Sequence, residues 1–215
     1  MNEKTVLRVF DFDGTLFDSP PDTPENRSRY ENHAGLPWLI DDETARRLTK
    51  EKGFRVGPRR GWWGRWETLS PPLVPDPAPL SWFFKPVCDL LLASKQDPEA
   101  ATVVLTGRHK KLKPLVVRIL AQGNLLDAEA DERCSVHCLG EKFGDGPPPS
   151  ETFPWKRYAL EHLTAGMKSL KKVEIWEDRG EHVELFRKLT LPAETLVVHH
   201  ANAADDRDVT RGDAN

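Results

Sequence analysis

The sequence predicts an α/β fold, a parallel sheet of about five strands with helices on both faces and a small irregular insertion after the first strand. Apolar runs of strand length alternate with stretches of helical spacing along most of the chain. The first such run, Thr5-Val6-Leu7-Arg8-Val9-Phe10, ends in two carboxylates two residues apart, Asp11 and Asp13, followed at once by Gly14. A strand that feeds a turn at a ligand site reads this way. From about residue 19 to residue 80 the alternation gives way to a stretch rich in Trp, Arg, Gly and Pro.

Taken in order, the first strand carries one oddity, Arg8, which a central parallel strand should not hold and which is assigned to the strand's exposed start. Pro20, Pro21 and Pro24 then remove backbone donors and end regular structure. The insertion, about 19–80, supports one helix, Asp41 to Lys50, with Asp41 or Asp42 as cap and Ala45 and Leu48 as a thin apolar face. It reads as a cover over the site, too small and irregular to stand as an independent domain. Ser81 to Ser94 has helical spacing at Phe84, Val87 and Leu91, and Pro86 could mark its true start. Ala101 to Leu105 is the second strand, and Lys110 to Ala121 a helix with Leu112, Leu115, Val116, Ile119 and Leu120 on one side.

Ser135 to Leu139 is the third strand, followed by a Gly- and Pro-rich loop from Gly140 to Ser150. Thr152 is expected to cap a helix reaching about Leu163. Lys172 to Trp176 is the fourth strand, Glu181 to Leu189 the next helix, and Thr195 to His199 the fifth strand. One domain, 1–200, is expected, with a disordered tail over 201–215 where apolar content nearly vanishes.

At 215 residues the chain can bury a full core and carry an insertion, but not form two large domains. A net charge of -3 gives no global field toward nucleic acid. Locally, Arg46, Arg47, Lys50, Lys52, Arg55, Arg59, Arg60 and Arg65 face one acid, Glu51. The three cysteines, Cys88, Cys134 and Cys138, fit reduced thiols in a cytoplasmic compartment, with the nucleus left open. Cys134, Val136 and Cys138 read as one apolar row of a strand rather than half of a zinc site, which would need a second ligand pair. No run approaches a membrane span, and no membrane partner is expected.

The chemistry follows from the residue types. An aspartate can attack phosphorus in line and form an aspartyl-phosphate, and Asp11 is placed for that. A second carboxylate can protonate the leaving oxygen and then take a proton from water, and Asp13 is placed for that. Two like charges so close call for a cation between them. With Gly14-Thr15-Leu16 following, the motif resembles the first motif of the haloacid dehalogenase (HAD) superfamily, Asp-x-Asp-Gly-Thr. The resemblance implies a HAD-like Rossmannoid sheet, Mg²⁺ as cofactor and phosphohydrolase activity.

At the end of the second strand, the Thr106 hydroxyl and Gly107 N–H can hydrogen-bond phosphate, and Arg108 could clamp it bidentately. Thr106 resembles the superfamily's second motif, although a helix cap for the segment near Lys110 is the other reading. The hydroxyl-Gly-Arg run is similar to that of the end-healing phosphatase domain of polynucleotide kinases. The superfamily's third motif implies a lysine near a helix start, which Lys156 fits with Lys142 as competitor. At the end of the fourth strand, Glu177 and Asp178 supply further metal contacts, Asp178 as ligand and Glu177 as its neighbour. His182, four residues past Asp178, could orient it. Glu177-Asp178-Arg179-x-x-His182-Val183, with Gly61-Trp62-Trp63 and Trp82 upstream, resembles the Swiss Army Knife RNA repair-like branch.

Arg59-Arg60-Gly61-Trp62-Trp63-Gly64-Arg65-Trp66 interleaves cations with flat rings, so Trp62, Trp63 and Arg65 are candidates for binding bases and phosphates. Equally, these tryptophans could anchor the insertion. The expected function is removal of a terminal phosphate from nucleic acid, RNA or DNA ends, beside RNA-repair partner enzymes that the branch implies. The alternatives are a nucleotide or sugar phosphatase of the same superfamily and a non-catalytic binding module.

Overall fold

Strands β1 (Val6–Phe10), β2 (Ala100–His109), β3 (Cys134–Leu139), β4 (Lys172–Glu177) and β5 (Thr195–His200) form one parallel sheet in the order β3-β2-β1-β4-β5. The computed structural model describes residues 4–53, 56, 61–127 and 131–201. The tail expected over 201–215 lies outside them apart from Ala201, as do Arg55, Arg59 and Arg60 of the basic segment. The helices are α1 (Pro24–Ala34) and α2 (Asp42–Lys52), both in the insertion, then α3 (Lys85–Gln96), α4 (Lys113–Gln122), α5 (Thr152–Ala165) and α6 (Gly180–Phe186).

The chain moves outward from β1 through β2 to β3, then returns across the sheet to β4 and β5. With right-handed crossovers, this reversal puts α3 and α4 on one face and α5 and α6 on the other. Period-2 alternation then sorts the side chains. Leu7 and Val9, Val103 and Leu105, and Val173 and Ile175 pack against Trp155, Ala159, Leu160 and Leu163 of α5 and Phe186 of α6. On the opposite face the Thr102 and Ser94 hydroxyls, from β2 and α3, meet at 2.6 Å. Cys134, Val136 and Cys138 form the expected buried row of β3.

Arg8 sits within β1 rather than at an exposed start, opposite Glu174 of β4. Its Nε donates to Glu174 Oε2 and its Nη1 to Asp97 Oδ2, each at 2.9 Å, so the charge is paired where the sheet half-covers it. Pro86 does mark a helix start, since α3 begins at Lys85 after a 3₁₀ turn over Leu80–Trp82. A similar turn, Lys110–Leu112, precedes α4. Glu151, not Thr152, is the cap of α5, and it makes no side-chain capping bond.

Ser19–Ala78 forms a compact unit of its own. It holds the expected helix, α2, which Asp41 caps by accepting from Thr44 N at 2.6 Å. It also holds α1, which the sequence reading missed. There Thr23 caps by accepting from Asn26 N at 3.3 Å, and Pro24 opens the first turn.

Candidate active site

One tier of rings crosses the sheet just below its carboxyl edge. Phe10 of β1 stacks on Trp176 of β4 at 4.5 Å, and Trp176 stacks on His199 of β5 at 4.7 Å. The in-register pairing Phe10–Trp176–His199 sets this up. Each next residue therefore emerges at the same edge: Asp11, Glu177 and His200. β1 and β4 are also the neighbours between which the direction of strand succession reverses, where open α/β sheets leave a crevice for ligands.

Asp11 leaves β1 with its N–H bound to Trp176 O at 2.9 Å, and the chain then turns tightly, Gly14 N donating to Phe17 O at 2.8 Å. Gly14 has φ +73, and a Cβ there would fall on the Asp178 carboxylate, so the position needs glycine twice over. Lys156, in the second turn of α5, reaches between two strands: Nζ is 2.9 Å from Asp11 Oδ1 and 2.7 Å from Glu177 Oε2. All three side chains are buried.

Burial pushes the Asp11 carboxyl well above its usual range, the Glu177 charge pushes further, and Lys156 pulls it back only in part. Asp178 rises to about 6, through burial first and then Glu177. Glu177 goes the other way: burial would raise it, but Lys156 and His182 bring it down to about 2. Burial would likewise strip Lys156 of its proton, yet Asp11 and Glu177 hold its pKa above the ordinary value.

Asp11, Glu177 and Asp178 each offer an oxygen within 4.8 Å of the others. Three carboxylates against one ammonium leave this cluster short of positive charge. Asp178 Oδ1 is buried with no hydrogen-bond partner among the described residues. Hard oxygen donors, excess negative charge and an unsatisfied buried oxygen together suit Mg²⁺. Asp11 and Asp178, with Glu177 beside them, are the residues that would hold it.

Asp13 is not in that trio. Its carboxylate is gripped by Arg108, whose Nη2 donates to Oδ1 at 2.7 Å and Nε to Oδ2 at 3.0 Å. The guanidinium expected on phosphate is thus engaged by a carboxylate in this structure. Thr106 is buried in β2, three residues before its end, and accepts from Arg108 N at 3.1 Å, while His109 rather than Thr106 caps the turn at Lys110–Leu112. Between Thr106 and His109 the β2–β3 register shifts, which swings Arg108 off the regular ladder. Gly107 lets the first turn of α5 close in, since a Cβ there would collide with the Thr152 side chain.

Trp62, Trp63 and Arg65 belong to the separate Ser19–Ala78 unit. Trp62 is only 2% exposed, packs with Tyr30 and Leu73, and donates from Nε1 to Pro20 O at 2.9 Å. Arg65 is buried, with its guanidinium over the Tyr30 ring at 5.1 Å and the Trp38 ring at 5.6 Å. Trp63 reaches the surface. His182 is buried and faces Glu177 rather than Asp178, with Nδ1 at 3.4 Å from Oε1. His200, given no role from sequence, touches the site: its Nε2 lies 2.9 Å from Asp178 O. Sequence carried no signal for that contact, which depends on β5 lying in register beside β4. The three cysteines are free and buried, consistent with packing rather than metal binding. No helix among the described residues is long and apolar enough to cross a membrane.

Residues 37–201 match the model of HAD domain family 1 in Swiss Army Knife RNA repair proteins. That span contains Thr106, Lys156, Glu177 and Asp178, while Asp11 and Asp13 precede it. Among solved structures, the HAD domain of effector protein Lem4 from Legionella pneumophila is similar at 14% identity and TM-score 0.49, over 94% of this chain and 88% of that one. A haloacid dehalogenase-like family hydrolase from Streptococcus pneumoniae is similar at 16% identity and TM-score 0.45, over 99% of this chain and 93% of that one. Comparison with curated proteins gives no match. The chain belongs to the HAD superfamily, in the domain family found in Swiss Army Knife RNA repair proteins, a membership that implies phosphohydrolase-type activity.

Proposed function

We propose that this protein is a Mg²⁺-dependent phosphatase that removes a terminal phosphate from nucleic acid, RNA ends being the substrate class, through an aspartyl-phosphate on Asp11. The observation that carries the reading is the convergence of Asp11, Lys156, Glu177 and Asp178, from three separate elements, at one edge of the sheet. A cluster short of positive charge is suited to receive a cation and an anionic group together, because each offsets the cost of burying the other. A bound Mg²⁺ supplies charge neutralisation at the carboxylates and the phosphoryl oxygens.

The side chains divide the rest of the work. Lys156 orients Asp11 and pulls it toward the anionic form, which a cation bound at the carboxylates would complete, so that a carboxylate oxygen attacks phosphorus while the bond to the leaving oxygen breaks. Asp13, ion-paired with Arg108 in this structure, frees one oxygen from that fork, takes a proton from solvent and passes it to the leaving oxygen, while Arg108 fixes the direction from which it does so. Water then attacks the phosphorus of the acyl-phosphate, Asp13 takes the water's proton, and Asp11 is released with inorganic phosphate. Thr106 and the Gly107 N–H, in the last residues of the adjacent strand β2, would hydrogen-bond the phosphoryl oxygens. RNA as substrate is supported by the domain family to which the chain belongs.

The test is phosphate release from 3′- and 5′-phosphorylated RNA and DNA oligonucleotides, mononucleotides and sugar phosphates, each with Mg²⁺ and with EDTA. Release from an oligonucleotide end, lost with EDTA and in Asp11→Asn, is the expected result. Turnover confined to nucleotides or sugar phosphates overturns the nucleic-acid part. Turnover that survives Asp11→Asn overturns the mechanism.

A further inference from the structure

We propose that His200 is a positioning residue for the metal-binding turn, fixing the Asp178 peptide and thereby the aim of the Asp178 carboxylate. The inference rests on the metal-dependent reading above.

His200 Nε2 lies 2.9 Å from Asp178 O. A carbonyl only accepts, so Nε2 carries the proton and donates it. Immediately afterwards Ala201 N donates to Glu177 O at 2.9 Å. The end of β5 therefore ties down both carbonyls of the acidic pair, one by ladder and one by side chain. The ring tier sets the distance: His199 stacked on Trp176 holds β5 in register, so that the next side chain falls beside Asp178.

Among the described residues the other restraints are few. Val183 N donates to Arg179 O at 2.9 Å, on the α6 side of the turn, Arg179 N reaches Glu177 Oε1 only at 3.4 Å, and α6 starts at Gly180 with no side-chain cap. On the inner side Asp178 lies so close to Gly14 that no methyl group fits between them. A peptide rotation at Asp178 would thus carry the carboxylate into the Gly14 turn or away from Asp11. Its Oδ1 is buried and has no hydrogen-bond partner among the described residues. His200 itself is exposed and buries no ring in the core, so its contribution runs through that single hydrogen bond. Groups that orient metal ligands in this indirect way typically change metal affinity about 10- to 100-fold when removed.

The experiment uses the full chain and Mn²⁺, whose free-ion paramagnetic signal reports binding without turnover. Wild type, His200→Ala, His200→Gln and Asp178→Asn are titrated, their thermal midpoints recorded, and phosphate release followed against Mg²⁺ concentration. His200→Ala is expected to weaken Mn²⁺ binding about tenfold and to raise the Mg²⁺ concentration for half-maximal rate by a similar factor. Its rate at saturating Mg²⁺ should stay within about twofold of wild type. His200→Gln, whose amide can donate from nearly the same place, should recover most of the affinity. Unchanged Mn²⁺ binding in His200→Ala overturns the inference, as does a His200→Gln no better than His200→Ala. So does a loss of affinity that only tracks a lowered thermal midpoint. If Asp178→Asn binds as well as wild type, the metal-site reading falls and the inference with it. If Asp178→Asn alone loses binding, the metal-site reading stands and only the inference falls.

Discussion

Arg108 holds Asp13 by both carboxylate oxygens across 95 residues of sequence, from β2 to the turn after β1. The Arg108 side chain is fully enclosed and that of Asp13 nearly so. The pair links the two strands that flank the proposed phosphate position, and removing either side chain breaks a two-point ion pair that is largely shielded from water.

Arg108→Leu should therefore cost about 3 kcal/mol of stability, read as a shift in the urea midpoint. Arg108→Lys keeps the charge but loses the fork that matches a carboxylate. It should stay within about 1 kcal/mol of wild type in stability yet lose about 10- to 100-fold in turnover, because Asp13 is no longer aimed. A lysine variant with full activity would show that the fork is not needed.

Lys156→Met removes the ammonium between Asp11 and Glu177. Stability at neutral pH should fall by about 3–5 kcal/mol, and turnover should be lost. In the variant, burial leaves both carboxyls with raised folded-state pKa values. The folded chain then binds protons that the unfolded chain releases, so the lost stability should return as pH falls from neutral toward the ordinary carboxylate range. Denaturant midpoints between pH 5 and 8 test this, with the gap between variant and wild type expected to narrow at the acid end.

Gly14→Ala meets two obstacles, a left-handed backbone and the Asp178 carboxylate in the way of the new methyl. A cost of about 1–3 kcal/mol is expected from the backbone alone. Displacement of Asp178 should also abolish stabilisation by Mg²⁺. A thermal midpoint that still rises with added Mg²⁺ would show that Asp178 need not stay where it is.

Burial pushes the thiols of Cys88, Cys134 and Cys138 from the ordinary 9.0 up to about 12. Below pH 9.0 folded and unfolded chains both keep these protons. Above it the unfolded chain releases them and the folded chain does not, so stability should decline as pH rises toward 12. The slope is at most about 1.4 kcal/mol per pH unit for each thiol. Cys134→Ala should flatten the decline between pH 9 and 10.5, and iodoacetamide should label the wild type only when it is unfolded.

How much of this could be read from the chain depended on whether the determinant was local. Val9-Phe10-Asp11 and Ile175-Trp176-Glu177-Asp178 announce buried strands ending in acids, and each motif stands at the strand end its own spacing assigned. α1 escaped because Pro24–Ala34 buries Tyr30 alone, and its order comes from the Thr23 cap and Pro24 rather than an apolar stripe. The pairings of Arg8 with Glu174 and Asp97, Arg108 with Asp13, and His200 with Asp178 are all set by strand order and register. No nearby residue encodes them, and two of the three involve charges that sequence alone assigned to solvent or ligand.

The stacked rings of Phe10, Trp176 and His199 act as a spacer bar beneath the working groups. Because every ring sits one residue before a member of the layer above, the bar's thickness becomes the lateral pitch of Asp11, Glu177 and His200. Swapping Trp176 for an aliphatic residue would leave each chemical group intact and still put the three out of step. Tolerance to change in this protein is therefore narrower one storey below the carboxylates than the inertness of those rings implies.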